Sequence, residues 1–137
     1  MVQFMSNQKN EQSQTLRLDG SRVLLVEDEY YIADDLQRIL TAAGATVVGP
    51  CSTVSIAQEA LNRGEFDCAV VDLNLHGESA QPVADRLMAE GRSFAIATGY
   101  GSSAVPPHLK GVPRIEKPFD PSALLNLVGQ LSCARVV

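Results

Sequence analysis

Six polar side chains in the sequence are of types that act together on phosphate. They are Glu27, Asp28, Glu29, Asp72, Thr98 and Lys117. Carboxylates that lie close together repel one another, and a hard divalent cation with oxygen ligands, usually Mg²⁺, relieves that repulsion. Because Mg²⁺ prefers one or two carboxylates together with phosphate oxygens, these residue types indicate metal-assisted chemistry on a phosphoryl group.

Asp72 is the candidate nucleophile of this set. A carboxylate beside a divalent ion can attack a phosphoryl group in line and form an acyl phosphate, while an ammonium group and a hydroxyl hold the phosphoryl oxygens. Lys117 and Thr98 supply those two groups. The chemistry needs no histidine, and we expect His76 and His108 to be solvent-exposed loop residues.

The pattern of apolar residues predicts the elements that position these side chains. From Arg22 onward, short apolar runs alternate with amphipathic stretches of helix length, which is typical of βα repeats on a parallel sheet. The runs that we interpret as strands are 23–26, 46–48, 68–71, 94–97 and 112–115. The first, third and fourth runs are apolar on both faces, as strands covered by helices on two sides must be.

Helical spacing of apolar residues predicts four helices that follow the first, second, third and fifth strands. Glycines at 44, 64 and 91 mark helix ends, and Asp120 before a proline begins the last helix. A Pro-Pro pair at 106–107 allows only a short turn between the fourth and fifth strands. The inward-facing residues are expected to be Ile32, Leu36, Ile39, Leu40 and Ala43; Ile56, Ala57, Ala60 and Leu61; Val83, Ala84, Leu87 and Met88; and Leu124, Leu127, Val128 and Leu131.

Proline placement predicts the order of the strands. Pro113 confines the fifth strand to an edge of the sheet, and Pro50, just past the second strand, suggests the same for that strand. With right-handed crossovers, these constraints fit an α/β fold with a doubly wound five-stranded parallel sheet of order 2-1-3-4-5. Ligands bind outside the carboxyl ends of such strands, where the acids, the hydroxyl and the amine are all expected to converge.

The composition indicates a single acidic domain. The chain has 137 residues, 45% of them hydrophobic, and a formal net charge of −5. We expect a flexible polar tail over 1–20, the folded domain over 21–131 and a short tail over 132–137. No apolar run is long enough to cross a membrane and no signal-peptide core is visible, which predicts a cytoplasmic protein that does not bind membranes.

Cysteine and basic residue counts exclude further classes. The three cysteines are widely spaced and form no CxxC pattern, so they support neither a disulfide framework nor a thiolate metal site. The chain has 11 lysines and arginines without a basic cluster, which argues against nucleic acid as a partner because phosphate neutralisation dominates such binding. The charge balance instead favours the binding of cations.

Three motifs give the chain a family resemblance. Residues 23–28 (VLLVED), 70–75 (VVDLNL) and 116–119 (EKPF) resemble the acid pair, the phosphoacceptor strand and the lysine motif of receiver domains in two-component response regulators. The resemblance extends over most of the chain, from about Arg22 to Leu131. It implies the flavodoxin-like receiver fold and a bacterial signalling protein.

The resemblance also implies roles for the acidic residues. Asp28 and Asp72 would bind Mg²⁺ directly, Glu27 would act through water, and the backbone carbonyl of Asn74 would complete the protein ligands. Asp72 would receive a phosphoryl group from a histidine kinase or a histidine phosphotransfer protein. A protein of this kind assists only its own phosphorylation and dephosphorylation, so we expect no enzyme activity on an external substrate.

Thr98 and Lys117 would respond to that phosphoryl group. In the resembling family the threonine swings toward it, the lysine pairs with it, and the bond equivalent to Lys117–Pro118 is cis. With six residues after Leu131, we expect a stand-alone receiver that signals through phosphorylation-dependent contacts with an unknown downstream protein. A phosphate sink or a phosphorelay intermediate without an output partner is the alternative.

One departure from the family points to a subgroup. Receivers usually carry a switch Tyr or Phe three residues before the lysine, where this chain has Arg114. Residues 93–100 (SFAIATGY) are similar to the Pro-Phe-x-Phe-Ala-Thr-Gly-Tyr motif of the atypical FATGUY response regulators, which makes Tyr100 the candidate switch aromatic. In that subgroup the partner kinases are often of the HWE or HisKA2 type, and the setting is bacterial stress or environmental signalling.

Other readings of the sequence predict different chemistry. Residues 99–104 fit a GxGxxA dinucleotide fingerprint, but the Pro-Pro pair denies it the helix that would present an N-terminus to pyrophosphate. An FMN-binding flavodoxin would share the strand order, but the acids after the first strand would repel phosphate. A small aspartyl-phosphate phosphatase is a distant alternative, because Asp72-Leu73-Asn74 lacks a second aspartate that could act as general acid.

Overall fold

The structure, a computed structural model, describes residues 17–99 and 105–134. These residues form seven strands, four α-helices and one short 3₁₀ helix. In chain order they are β1 (Arg22–Val26), α1 (Tyr30–Ala42), β2 (Thr46–Cys51), α2 (Val54–Arg63), β3 (Cys68–Asp72), β4 (Asn74–Leu75), β5 (Glu78–Ser79), α3 (Gln81–Ala89), β6 (Phe94–Thr98), the 3₁₀ helix (Pro107–Leu109), β7 (Arg114–Glu116) and α4 (Pro121–Ala134).

The five long strands of the described residues form one parallel sheet of order β2-β1-β3-β6-β7. This order confirms the predicted arrangement, with β2 and β7 at the edges. In addition, β4 and β5 pair in antiparallel fashion as a small hairpin directly after β3, which the sequence interpretation missed. Two-residue strands carry too little periodicity to be recognised from apolar pattern alone.

Two apolar layers, one on each face of the sheet, make up the core. β1, β3 and β6 send alternate side chains to opposite faces, so these strands are buried on both sides. One face packs against α2 and α3, with Leu24, Val26, Ala57, Leu61, Val83 and Leu87 among its buried residues. The other packs against α1 and α4, with Val23, Leu25, Leu36, Leu40, Leu124 and Val128.

Local signals for helix ends and starts correspond to observed contacts. Gly64 ends α2 in the left-handed conformation with φ 68°, which glycine adopts at little cost. The side chain of Thr53 accepts a hydrogen bond from the Ile56 amide at 3.1 Å and so caps the start of the same helix. At the start of α4, the Asp120 carboxylate accepts from the Ala123 amide at 3.1 Å.

Two residues expected to face the core do not. Ile56 is 45% exposed and Met88 is 41% exposed, so their predicted burial was wrong. Each lies beside a correctly predicted core residue, and a helix turns about 100° per residue, so a position at the margin of the apolar face is easily misassigned. Pro50 also lies inside β2 and not past it, and Pro113 directly precedes β7.

The folded core extends beyond the range 21–131. Leu18 is 3% exposed, belongs to the same apolar cluster as α1 and α4, and its amide donates to the Ala43 carbonyl at 2.7 Å. At the other end, α4 continues to Ala134. Among the described residues, no helix combines the length and apolarity needed to span a membrane.

Candidate functional site

The carboxyl ends of β1, β3, β6 and β7 surround an open cleft of about 450 Å³. The strand order makes this convergence necessary, because β3 lies between β1 and β6, and β6 pairs with β7. All the predicted site residues within the described ranges line the cleft: Glu27, Asp28, Asp72, Asn74, Thr98 and Lys117. Tyr100, the candidate switch aromatic, lies outside the described residues.

Three acids meet at the floor of the cleft. Val26 of β1 lies opposite Val71 of β3, so Glu27, which follows β1, and Asp72, which ends β3, emerge side by side. One carboxylate oxygen from each of Glu27, Asp28 and Asp72 lies within 4.8 Å of the other two. Asp72 is 8% exposed and Glu27 only 2%, so this cluster is held largely out of water.

Lys117 places one ammonium group between two of these acids. Its Nζ lies 2.7 Å from Asp72 Oδ2 and 2.9 Å from Glu27 Oε1. The backbone holds the lysine at this point, because its amide donates to the Thr98 carbonyl at 2.7 Å and the Lys117–Pro118 bond is cis, as expected. Burial lowers the pKa of Lys117, but its contacts with Asp72 and Glu27 outweigh burial, and the pKa is raised.

Glu27 is the most buried acid of the site. Burial raises its pKa, and the negative charge of Asp72 raises it further. Lys117 and the Glu29 amide, which donates to Glu27 Oε2 at 3.1 Å, lower the pKa without cancelling the rise. In the folded protein, the surroundings of Glu27 therefore destabilise the ionised form of its side chain relative to the protonated form.

The hairpin β4–β5 covers one side of the acids. The Asn74 amide donates to Asp72 Oδ1 at 2.9 Å, and the Asn74 side-chain oxygen accepts from the Gly77 amide at 2.9 Å. These bonds close the turn in which His76 adopts a left-handed backbone with φ 50°. Nδ1 of His76 contacts Oδ2 of Asp28 as an ion-pair partner.

The two histidines differ from the sequence-based expectation. The His76 side chain is 79% exposed, as expected of a loop residue, but its contact with Asp28 was not anticipated. In the sequence, the only feature that indicated this turn was the His76-Gly77 pair between Leu75 and Glu78. His108 lies in the 3₁₀ helix, and its Nε2 lies 2.7 Å from Asp85 Oδ1 on α3.

Thr98 and Arg114 occupy neighbouring strands. Thr98 ends β6, is 7% exposed and lines the cleft. Arg114 begins β7 beside Ile96 and is exposed, so the position at which receivers usually carry a switch aromatic is occupied by a solvated cation in this chain.

The donor set fits a hard divalent cation such as Mg²⁺. Glu27 Oε1 and Asp28 Oδ2 are buried, and in the described part of the chain their partners are the ammonium group of Lys117 and the imidazole of His76. Three carboxylates face one lysine ammonium, which leaves net negative charge in a shielded cleft. Oxygen ligands and net negative charge are what Mg²⁺ requires.

The nucleotide readings receive no support from the described residues. Residues 100–104 of the GxGxxA segment lie outside them, and between β6 and β7 the described part of the chain contains a three-residue 3₁₀ helix. The acids that line the cleft would also repel the phosphate of a flavin unless a cation intervened.

Comparisons with known proteins were made by sequence and by structure. No protein-family model and no curated protein matches the chain. Among solved structures, SdrG from Sphingomonas melonis Fr1 is 34% identical with a TM-score of 0.71, and the match covers 85% of this chain and 97% of SdrG.

Two further structures have the same fold. The signal receiver domain of a protein described as a Luxo repressor from Vibrio parahaemolyticus is 26% identical with a TM-score of 0.74, and the match covers 87% of this chain and 94% of that domain. The response regulator PhyR from Brucella abortus is 23% identical with a TM-score of 0.75, over 97% of this chain. The chain spans 56% of that PhyR and 50% of another PhyR stress response regulator.

Proposed function

The chain is a receiver-domain protein, and on that premise we propose that Asp72 accepts a phosphoryl group in a signalling reaction assisted by Mg²⁺. The observation that carries the proposal is the position of Asp72, which lies between the acid pair that follows β1 and the ammonium group of Lys117. An aspartate with no chemical role at a strand end would need neither the acid pair nor the ammonium group beside it.

Asp72 is oriented by contacts on both of its oxygens. Oδ1 accepts from the Asn74 amide at 2.9 Å, and Oδ2 lies 2.7 Å from Lys117 Nζ. In the proposed step an oxygen of Asp72 attacks the phosphorus of a phosphohistidine in line. The P–O bond forms as the P–N bond breaks, and the electron pair of the broken bond stays on the imidazole nitrogen.

Lys117 and Thr98 are proposed to bind the transferred group. The ammonium of Lys117 exchanges part of its contact with Asp72 for a phosphoryl oxygen, and the Thr98 hydroxyl approaches another. Asp28 and Asp72 would hold Mg²⁺ directly, with Glu27 acting through water and Asn74 through its carbonyl. When bound, the ion would offset the charge that develops on the phosphoryl oxygens.

The phosphoryl donor is proposed to be a histidine kinase or a histidine phosphotransfer protein. Similarity of residues 93–100 to the FATGUY motif favours a kinase of the HWE or HisKA2 type, and it makes Tyr100 the proposed switch residue. Phosphorylation would alter the rim that Thr98 and Lys117 share and so change the affinity for a downstream protein. The exposed Arg114 supports this assignment, because a solvated arginine does not replace a buried switch aromatic.

We propose a phosphoacceptor and not an enzyme that turns over an external substrate. A phosphatase that forms an aspartyl phosphate on Asp72 would need a nearby general acid, and Asn74 stands where the second aspartate of such an enzyme would be. The Asn74 side-chain oxygen is already bonded to the Gly77 amide. An amide side chain has no titratable proton to donate.

Incubation with a small phosphodonor and Mg²⁺ tests this proposal, with intact-protein mass as the measurement. We expect the wild type to gain the mass of one phosphoryl group and Asp72→Asn to gain none. Asp34→Asn, which alters a half-buried aspartate on α1 that pairs with Arg38, is the matched control and should be labelled like the wild type. Labelling of Asp72→Asn, or none of the wild type, would contradict the proposal.

A further inference from the structure

An apolar groove of about 340 Å³ lies between α1 and the segment that joins β7 to α4. Ile32 and Ile39 of α1 and Phe119 before α4 line it, and all three are half-buried at the margin of the apolar layer under these helices. A volume of about 300 Å³ or more holds a small ligand, so the groove has room for several side chains. We propose that residues 1–5 of this same chain dock in this groove.

The composition of the segment that precedes the described residues supports this occupant. Apolar side chains are concentrated at its start, at Met1, Val2, Phe4 and Met5. Residues 6–15 contain no apolar side chain, and the side chains of residues 1–16 include one lysine and one glutamate. Docking would remove the apolar stretch from water, and the side chains of the segment carry no net charge that would oppose its approach to an acidic domain.

The described chain enters the fold beside the helices that border the groove. The Leu18 amide donates to the Ala43 carbonyl at 2.7 Å, and the Arg17 side chain donates to the Ala42 carbonyl at 3.4 Å, both at the carboxyl end of α1. Leu18 also lies against α4, because a Cβ at Gly129 would be 3.6 Å from Leu18 Cδ2. The preceding residues are therefore attached between α1 and α4.

The length of the linker 6–16 matches the distance to the groove. An α-helix rises about 1.5 Å per residue, so along α1 Ala43 lies about 6 Å from Ile39 and about 17 Å from Ile32. As a flexible chain, the linker has an r.m.s. length of roughly 17–20 Å. A short linker that matches its span gives an effective concentration in roughly the millimolar range. A second copy would offer the segment only at the protein concentration, so the tethered segment is favoured.

Docking would place the segment beside the acidic cleft. Gly99 and Lys117 line both the groove and the cleft. The docked segment would therefore be an internal ligand at a surface that adjoins Asp72, which Lys117 contacts. It would limit the access of large partners to this surface and leave the cleft open to small molecules.

Methyl nuclear magnetic resonance of the full chain tests the inference. In the wild type we expect nuclear Overhauser contacts between the ring of Phe4 and the methyl groups of Ile32 or Ile39. In the double variant Phe4→Ser/Met5→Ser, the methyl signals of both isoleucines should shift, because the apolar contacts are removed. Both substitutions lie outside the described residues, so the folded core should be unaffected.

Two controls isolate the apolar contacts. The double variant Asn7→Ser/Gln8→Ser, which changes two polar residues of the linker, should leave the isoleucine signals of α1 at their wild-type positions. The methyl signals of Val83, which is buried in the layer on the opposite face of the sheet, should be the same in all three proteins.

A synthetic peptide of residues 1–8 provides a second measurement. At roughly millimolar concentration, the range that a short linker supplies, it should move the isoleucine methyl signals of Phe4→Ser/Met5→Ser toward their wild-type positions. The same peptide with serine at positions 4 and 5 should have no effect.

The other outcomes overturn the inference. Isoleucine signals that are identical in the wild type and in Phe4→Ser/Met5→Ser would show that the segment does not dock. Overhauser contacts of Ile32 or Ile39 with Tyr100 in place of Phe4 would show that another part of the chain fills the groove. Contacts with Phe4 that disappear on tenfold dilution would assign the groove to a second copy. Phosphorylation of Asp72 is measured separately, so the proposed function stands in each of these cases.

Discussion

Lys117 contacts two of the three acids in the cleft, with its ammonium nitrogen 2.7 Å from Asp72 and 2.9 Å from Glu27. These contacts offset part of the repulsion among the carboxylates, but they do not include Asp28, which contacts His76. Single residues in the site therefore differ sharply in their electrostatic surroundings, and two predictions follow from those differences.

Asp28 should govern the response of stability to Mg²⁺. An ion that binds only the folded state stabilises it by about 2.7 kcal/mol at a concentration one hundred times its Kd. We expect Mg²⁺ to raise the melting temperature of the wild type, and Asp28→Asn to remove most of that rise because it deletes a ligand charge. Asp34→Asn, a substitution at a half-buried position of α1, should keep the full rise. Identical metal titrations for both variants would contradict the assignment.

Glu27 should make stability depend on pH in a chelator-containing buffer. Its pKa is raised in the folded protein, chiefly by burial, so the folded state binds the proton more tightly than the unfolded state does. The stability from this group is fully present below its ordinary pKa of 4.5 and is lost as pH rises through the folded value.

The variant Glu27→Gln cannot ionise at this position, so it does not lose stability there as pH rises. We expect its free energy of unfolding, relative to that of the wild type, to grow as pH rises from 4.5 and then to level off. Urea unfolding at a series of pH values measures the difference. A difference that is constant with pH would show that the surroundings of Glu27 do not penalise its charge.

At the scale of elements, the parallel sheet and the small hairpin β4–β5 position the site in different ways. Strand ends bring Asp28, Asp72, Thr98 and Lys117 to one rim, and strand ends were recognisable from apolar runs in the sequence. The hairpin places His76 against Asp28. Its strands are too short to show a periodic pattern in the sequence, so the hairpin was not predicted. The regular part of the site was therefore predictable, and the irregular part was not.

Gly77→Ala should destabilise the hairpin through backbone conformation alone. Gly77 has φ 86° and open space where a Cβ would lie, so the cost comes from the left-handed backbone and should be about 1 kcal/mol. Gly111→Ala is the matched control, because Gly111 also has open space but lacks a left-handed φ. We expect that control to range from neutral to a stabilisation of about 1 kcal/mol. Equal effects on urea unfolding would contradict the explanation.

At the scale of the whole molecule, one sheet lies between two apolar layers. Both layers contain residues of the same strands, but they lie on opposite faces of the sheet. The layer under α2 and α3 and the layer under α1 and α4 each contain residues of β1, β3 and β6. Both layers must form for the central strands to be covered, so the fold is expected to unfold as a unit.

Substitutions in opposite layers should have additive costs. Val83 on α3 and Val128 on α4 are both fully buried, and they belong to different layers. Each change to alanine removes two methyl groups and should cost roughly 2 kcal/mol, including the cavity that remains. The double variant should lose the sum within about 0.5 kcal/mol, because the two sites share no partners. A clearly smaller or larger loss in urea unfolding would show coupling through the sheet.

The sequence by itself determined the fold class, the strand order and the set of polar residues at the strand ends. Apolar periodicity, prolines such as Pro113 and capping residues such as Asp120 act over a few neighbouring positions, so they can be recognised without knowing the fold. Positions at the margin of a helix face, Ile56 and Met88, were misassigned because the width of a buried face depends on what packs against it.

Only the tertiary structure decided how these polar groups meet. Lys117 lies 45 positions from Asp72 in sequence, yet the two side chains touch, and Lys117 also reaches Glu27. The burial that raises the pKa of Glu27 and the contact of His76 with Asp28 likewise depend on distances between segments that are far apart in the chain. Electrostatic energy varies with such distances and with local burial, and neither quantity exists until the chain has folded.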